Sequence, residues 1–187
     1  MSQVLALADL AAFGDALREE GKRIVFTNGH FDLLHVGHTR YLQAARALGD
    51  ALIVGVNDDT STTARKGTGR PIIPAAERAE LLAALACVDA TVVFAALTAD
   101  EPIRLLRPDI YVKGGDYAVT VDEERAGKTP LPEAALVRQH GGSVRTIPLV
   151  PGRSTTEIIR HIRAPLRAGT TEQCPENTEP KGTHEHQ

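Results

Sequence analysis

The sequence predicts an α/β domain with five short parallel strands in one sheet, ordered 3-2-1-4-5, and helices on both faces. Three observations point to it. Short apolar runs alternate with helical patterns along most of the chain. The apolar runs are almost continuous instead of alternating with polar residues, as strands covered on both faces require. Polar or glycine-bearing turns such as Gly49-Asp50, Arg107-Pro108-Asp109 and Gly141-Gly142 punctuate the alternation and end the helices.

The elements follow in order. Leu5, Leu7, Leu10, Ala11, Phe13 and Leu17 have the spacing of an amphipathic helix over residues 5–20. Strands are expected over 23–27, 51–57, 90–94, 110–113 and 143–148, with helices over 37–48, 74–86, 101–106 and 132–140 between them. A last helix over 155–163 follows Ser154, an N-cap residue with Glu157 three positions on, the pattern of a capping box. Residues 118–129 are polar and read as a surface loop, a lid or a solvated connector. Residues 165–187 are rich in Thr, Glu, Pro, Gly and His and read as a disordered tail. The expected organisation is one domain over residues 1–164, led by the segment 1–20, and the tail.

Composition narrows the function classes. At 187 residues and 42% apolar content the chain suits one α/β core. It has no apolar run long enough to span a bilayer, and its first residues lack a signal-peptide pattern. A net charge of −3 without a basic stripe, and 4% aromatic residues, argue against a nucleic-acid partner. Cys87 sits in an apolar run and Cys174 in the polar tail, which suggests neither a disulfide framework nor a zinc site. The expected compartment is the cytoplasm.

In open parallel sheets, ligands bind beyond the carboxyl ends of the strands where the order reverses. That rule selects the strand ending at Thr27 and the strand ending at Lys113. The unusual residues follow those two strands. Thr27-Asn28-Gly29-His30-Phe31-Asp32-Leu33-Leu34-His35-Val36-Gly37-His38 comes after the first, and Lys113-Gly114-Gly115-Asp116-Tyr117 after the second. His35 and His38 fall at a strand-to-helix junction, where unpaired helix amides favour an anion. Two imidazoles three residues apart there can both face a polyphosphate. The alternative for these histidines is capping or packing within the core.

The segment resembles the GxFDxLHxGH signature of the cytidylyltransferase-like nucleotidyltransferases, and Pro151-Gly152-Arg153-Ser154-Thr155-Thr156 resembles their STT segment. The likeness runs from about residue 21 to residue 162. It is closest to the heptose 1-phosphate adenylyltransferases, the nucleotidyl-transferring domain of ADP-heptose synthases. The residues that favour them are Thr27 to Asp32, Lys66-Gly67 to Arg70-Pro71, Lys113 to Tyr117 and Gly152 to Thr156. Glycerol-3-phosphate cytidylyltransferases share HxGH and STT but carry an RTEGISTT-type segment and a GDDW-type turn. Here Leu149 stands in place of that arginine, which favours ATP over CTP.

The resemblance implies a Rossmann-like nucleotidyltransferase fold and transfer of AMP from ATP to a heptose 1-phosphate, with release of pyrophosphate. Such a product is a lipopolysaccharide precursor or another activated heptose. The attacking phosphate is already an anion, so the chemistry needs cations and hydrogen-bond donors in place of a general base. Catalysis is expected from His35, His38, Lys66 and Thr155. The nucleotide is expected to meet Thr27, Asn28, Gly29, His30, Phe31, Gly37, His38, Gly114, Asp116, Tyr117, Ser154, Thr155 and Thr156. The acceptor is expected to meet Asp32, Asn57, Asp58, Lys66, Arg78 and Lys113. Lys66 is placed on a flexible loop after the second strand, bridging the incoming phosphate and the α-phosphate. Arg78 begins a helix aimed at the acceptor or the γ-phosphate.

Asp116 could accept from ribose hydroxyls or a base amine, or help hold a metal. Mg²⁺ (or Mn²⁺) is expected to be bound mainly through the phosphates, with no direct protein ligand. His30 stands where a small or apolar residue is expected, and could add a cation near the phosphates or bias the acceptor. The resemblance also suggests a homodimer, no membrane partner, and a separate sugar kinase supplying the acceptor. Three alternatives remain: a cytidylyltransferase acting on glycerol 3-phosphate or a similar alcohol phosphate, an adenylyltransferase acting on flavin mononucleotide, and a catalytically silent nucleotide-binding module.

Overall fold

The computed structural model describes residues 2–115, 117–118 and 127–164. Asp116, the centre of the 118–129 segment and the 165–187 tail lie outside the described residues. The main sheet has six strands: β1 (Gln3–Leu5), β2 (Ile24–Gly29), β3 (Ala51–Asn57), β4 (Ala90–Phe94), β5 (Ile110–Gly114) and β8 (Ser143–Ile147). They run in the order β1-β4-β3-β2-β5-β8, and every neighbouring pair is parallel. The five expected strands stand in the expected 3-2-1-4-5 order.

The sixth strand is a correction. β1 is a three-residue edge strand paired to β4, and a 3-10 turn over Leu7–Asp9 separates it from helix α1 (Leu10–Glu19). Three residues are too few to show a strand period, and Leu5, Leu7 and Leu10 continue the helical spacing by coincidence. Two short strands, β6 (Tyr117–Ala118) and β7 (Thr129–Pro130), pair in parallel and bring together the ends of the segment read as a loop.

Strand alternation divides the core between the two faces. Ile24, Phe26, Ile53, Val92 and Tyr111 pack with Leu10, Leu17, Ile103, Leu106 and Val137, from α1, α5 (Asp100–Leu106) and α6 (Ala134–Gln139). Val25, Leu52, Val54, Ile110 and Val112 pack with Leu42, Ala45, Ala79 and Leu82, from α2 (Val36–Arg46) and α4 (Ala75–Ala83). Each fully buried Ile, Leu, Val or Phe among these contributes about 1.5–3 kcal/mol of apolar transfer. The strand order reverses between β2 and β5, so their carboxyl ends open a crevice. Helices α3 (Asp59–Lys66) and α7 (Thr155–Arg163) complete the fold. Among the described residues, no helix is long and apolar enough to cross a membrane.

Candidate active site

The crevice widens into a cleft of about 580 Å³ across the carboxyl ends of β2, β3 and β5. Asn28, Gly29, His30, Phe31, His35, Gly37 and His38 form its floor and one wall. His35 is the N-cap of α2, and its Nδ1 accepts the Gly37 amide at 3.1 Å. That bond places the imidazole hydrogen of the neutral ring on Nε2. The His35 and His38 rings stack at 3.8 Å between centroids, inclined by 22°. A Cβ at position 37 would sit 2.8 Å from the His35 ring and 3.4 Å from Arg153, so only glycine fits beneath the pair.

The two rings are held neutral. Burial, then the charge of His35, pulls His38 down to about 4. Burial, then the charge of Arg153, lowers His35. His38 Nδ1 is buried and has no hydrogen-bond partner among the described residues. Such an orphan atom is costly in a finished core and signals a site completed by a ligand. Phe31 packs edge-on to His38 at 5.3 Å and adopts φ 46°, a left-handed conformation that bulky residues avoid. Its ring lies 3.1 Å from where a Gly29 Cβ would be, which explains that glycine.

The start of α7 adjoins that wall of the cleft, with Arg153 next to Gly37. Ser154 caps the helix, accepting the Glu157 amide at 3.2 Å, and Ser154, Thr155 and Thr156 all line the cleft beside Arg153. The capping box is one-sided, because the Glu157 carboxylate pairs with Arg160. Gly114 and Tyr117 line the cleft near Leu149, whose side chain is 2.9 Å from where a Gly114 Cβ would be.

Lys66 also lines the cleft, with Arg65, at the last turn of α3 instead of on a loop. Lys113 Nζ donates to Asn28 O at 3.3 Å and Asn28 Oδ1 at 3.2 Å, and Tyr111 Oη donates to the same Oδ1 at 2.6 Å. Burial lowers the Lys113 ammonium against the opposing pull of Glu133. His30 Nδ1 pairs with Thr62 Oγ1 at 3.0 Å. It is no further cation, because burial and then Lys66, Arg78, Arg65 and Lys113 bring it down to about 4.

Several expected contacts prove structural. Arg78 has no exposed side-chain surface, and its guanidinium donates to the carbonyls of Ile73, His30 and Asn57 and to Asp59. It clamps α4 beneath the site and does not face an acceptor. Asp32 accepts from the Ile72 and Ile73 amides at 2.7 and 3.0 Å and from Arg70. Burial would raise its carboxyl, but these partners hold it below the usual carboxylate range. Asp32 therefore latches the segment after α3. Asp58 is the N-cap of α3, accepting the Ser61 amide at 2.7 Å. The Asn57 amide lines the cleft but donates to Ala96 O at 3.0 Å. Thr27 is fully buried under the cleft, bonded to Tyr41 Oη at 2.7 Å.

Arg65 and Glu133 line the cleft without having been named, and Arg70 and Arg153 do so having been named only for the family likeness. Arg153 had a signal, since it immediately precedes the N-cap Ser154. Among the described residues, no group of three His, Cys, Asp or Glu is placed to hold a metal ion.

Residues 26–161 match the profile of the family described as Cytidylyltransferase-like. The chain belongs to the cytidylyltransferase-like family. Within that family it is 54% identical over 145 residues to the Bifunctional protein HldE of Syntrophotalea carbinolica, covering 78% of this chain and 28% of that protein. It is 48% identical over 160 residues to the Bifunctional protein HldE of Pseudomonas aeruginosa (strain LESB58), covering 86% of this chain and 32% of that one. The chain thus spans about a third or less of the length of these relatives. The crystal structure of the lipopolysaccharide core biosynthesis protein from Thermoplasma volcanium GSS1 superposes with a TM-score of 0.52 at 28% identity, covering 70% of this chain and 98% of that one.

Proposed function

We propose that this cytidylyltransferase-like chain transfers AMP from ATP to a heptose 1-phosphate and releases pyrophosphate. The observation that carries the reading is the neutral, stacked His35–His38 pair, with its orphaned buried Nδ1, lining the cleft beside the N-terminus of α7. Nothing among the described residues completes that atom, and a polyphosphate seated at two helix N-termini has the charge that both ends favour.

In this reading His35 donates from Nε2 to the triphosphate as charge builds on the α-phosphorus and the leaving pyrophosphate. Thr155 and Thr156 add hydroxyl and amide donors from α7, and Arg153 adds a cation. Lys66, at the end of α3, draws the acceptor phosphate against the α-phosphate. Holding two anions together in line is the main catalytic task, and these donors are ordered before substrate arrives. The apolar wall formed by Leu149 against Gly114 supports a flat purine more than a base read by a charged side chain. Mg²⁺ (or Mn²⁺) entering with ATP would neutralise the bridging and terminal phosphate oxygens. The His pair, Lys66 and Arg153 supply the donors around it.

The acceptor carries a phosphate on its anomeric carbon, so a sugar kinase reaction, on a separate or fused polypeptide, must precede this one. A homodimer and a cytoplasmic setting complete the proposal. The test offers purified protein heptose 1-phosphate, Mg²⁺, inorganic pyrophosphatase and ATP, CTP, GTP or UTP in turn, with phosphate release as readout. Release with ATP alone is expected. Preference for CTP would move the chain to the cytidylyl-transferring branch, and silence with all four would reject the heptose assignment.

A further inference from the structure

Two carboxylates line the cleft among the described residues. Asp32 is fully committed to Arg70 and the Ile72 and Ile73 amides. Glu133 is different. It precedes α6, on the face of the sheet opposite α2 and the histidine pair, and is 5% exposed. Its Oε1 accepts the Ala99 amide at 3.2 Å, a single neutral bond among the described residues for a buried carboxylate. A buried carboxylate is costly unless it is paired and hydrogen-bonded, and one amide leaves most of its acceptor capacity unused.

Different elements bring the opposite charges to the cleft: Arg65 and Lys66 come from the end of α3, Arg153 precedes α7, and Glu133 precedes α6. A carboxylate repels phosphate, so the acceptor must turn a non-anionic part toward it. Lys113 lies close enough for Glu133 to act on its charge. The two charges offset each other, which disfavours a cationic group and suits a neutral one that donates hydrogen bonds. Hydroxyls fit that description.

We infer that Glu133 selects the acceptor by accepting hydrogen bonds from the hydroxyls of its sugar, so that the polyol lies over α6 and the phosphate points to Lys66. The inference rests on the transferase reading above and adds the residue that discriminates a polyhydroxylated acceptor from a simple or cationic alcohol phosphate.

The test is steady-state kinetics on wild type and Glu133→Gln. The glutamine keeps the oxygen that accepts from Ala99 and keeps the volume, but removes the charge. The KM for heptose 1-phosphate should rise roughly tenfold or more, as expected for loss of a charge-assisted bond, while the KM for ATP and the melting temperature stay put. A set of deoxy-sugar 1-phosphates gives the same answer on wild-type protein. One deoxy position should match the effect of the variant, and in Glu133→Gln that position should cease to matter. An unchanged acceptor KM, or an equal rise for ATP, would overturn the inference and leave the transferase reading intact. Tighter binding of phosphoethanolamine than of the sugar phosphate would also overturn it, because the carboxylate would then be reading a cation. Wild-type protein that turns over no sugar 1-phosphate would reject both.

Discussion

His35 and His38 stack at 3.8 Å, so protonating either makes the other harder to protonate, and burial acts in the same direction. In the proposed reaction they act at neutral pH as N–H donors. Replacing His35 or His38 by Ala should lower kcat about 10²–10³-fold, the usual cost of a lost charge-stabilising donor, with the far-ultraviolet spectrum unchanged. The same burial sets a pH dependence of stability. His30 and His38 have folded values near 4, below the ordinary 6.5. As pH falls below 6.5 the unfolded chain takes up protons that the folded chain refuses until about pH 4. Their contribution is therefore complete above 6.5 and lost across that window. Melting temperature should fall on acidification from 6.5 to 4, and His30→Gln with His38→Gln should flatten the slope. An unaltered slope would mean that these rings titrate normally.

At the scale of elements, two charged side chains fix the loops that present the site. Arg78 is fully buried and satisfies three backbone carbonyls and Asp59, joining α4 to the ends of β2 and β3. Arg78→Ala strands those carbonyls and opens a void. It should cost about 3 kcal/mol or more in chemical denaturation. Asp32→Ala frees Arg70 and the Ile72 and Ile73 amides, so residues 67–73 should become the first site of limited proteolysis. Cleavage elsewhere first would place the latch on other contacts.

The elements also show what could be read from the residues. Strands β2 to β5 were legible because both of their faces are covered, which makes most of their residues apolar. The Gly29–His38 segment was legible because its residue types have a chemical purpose at that spacing. Arg78, Asp32, Asp58 and Thr27 are each engaged within the protein, and for one shared reason this was not legible: a sequence shows a donor or a carboxylate near a site but not which backbone or side-chain groups will occupy it first. Glu133 left no trace, since one glutamate at the start of an expected helix resembles any other.

Across the whole molecule, the sheet makes one platform whose strand order reverses at the cleft, with α2 and α7 on one side and α6 on the other. Ligands that join these parts should stabilise the fold as a unit. ATP at a hundredfold excess over its Kd adds ~2.7 kcal/mol, which for a domain of this size raises the melting temperature by roughly 5–10 °C. CTP at the same concentration should raise it less. An equal shift with both would remove the argument that Leu149 and Gly114 favour a purine.

The most direct test follows the oxygen atoms. Heptose 1-phosphate labelled with ¹⁸O at every non-bridging phosphate oxygen is turned over with ATP and Mg²⁺, and the products are weighed by mass spectrometry. In-line attack by the sugar phosphate on the α-phosphorus predicts an ADP-sugar that retains all of the label and pyrophosphate that contains none. Label in the pyrophosphate, or ATP consumed without a labelled ADP-sugar, would contradict the transfer assigned to this cleft.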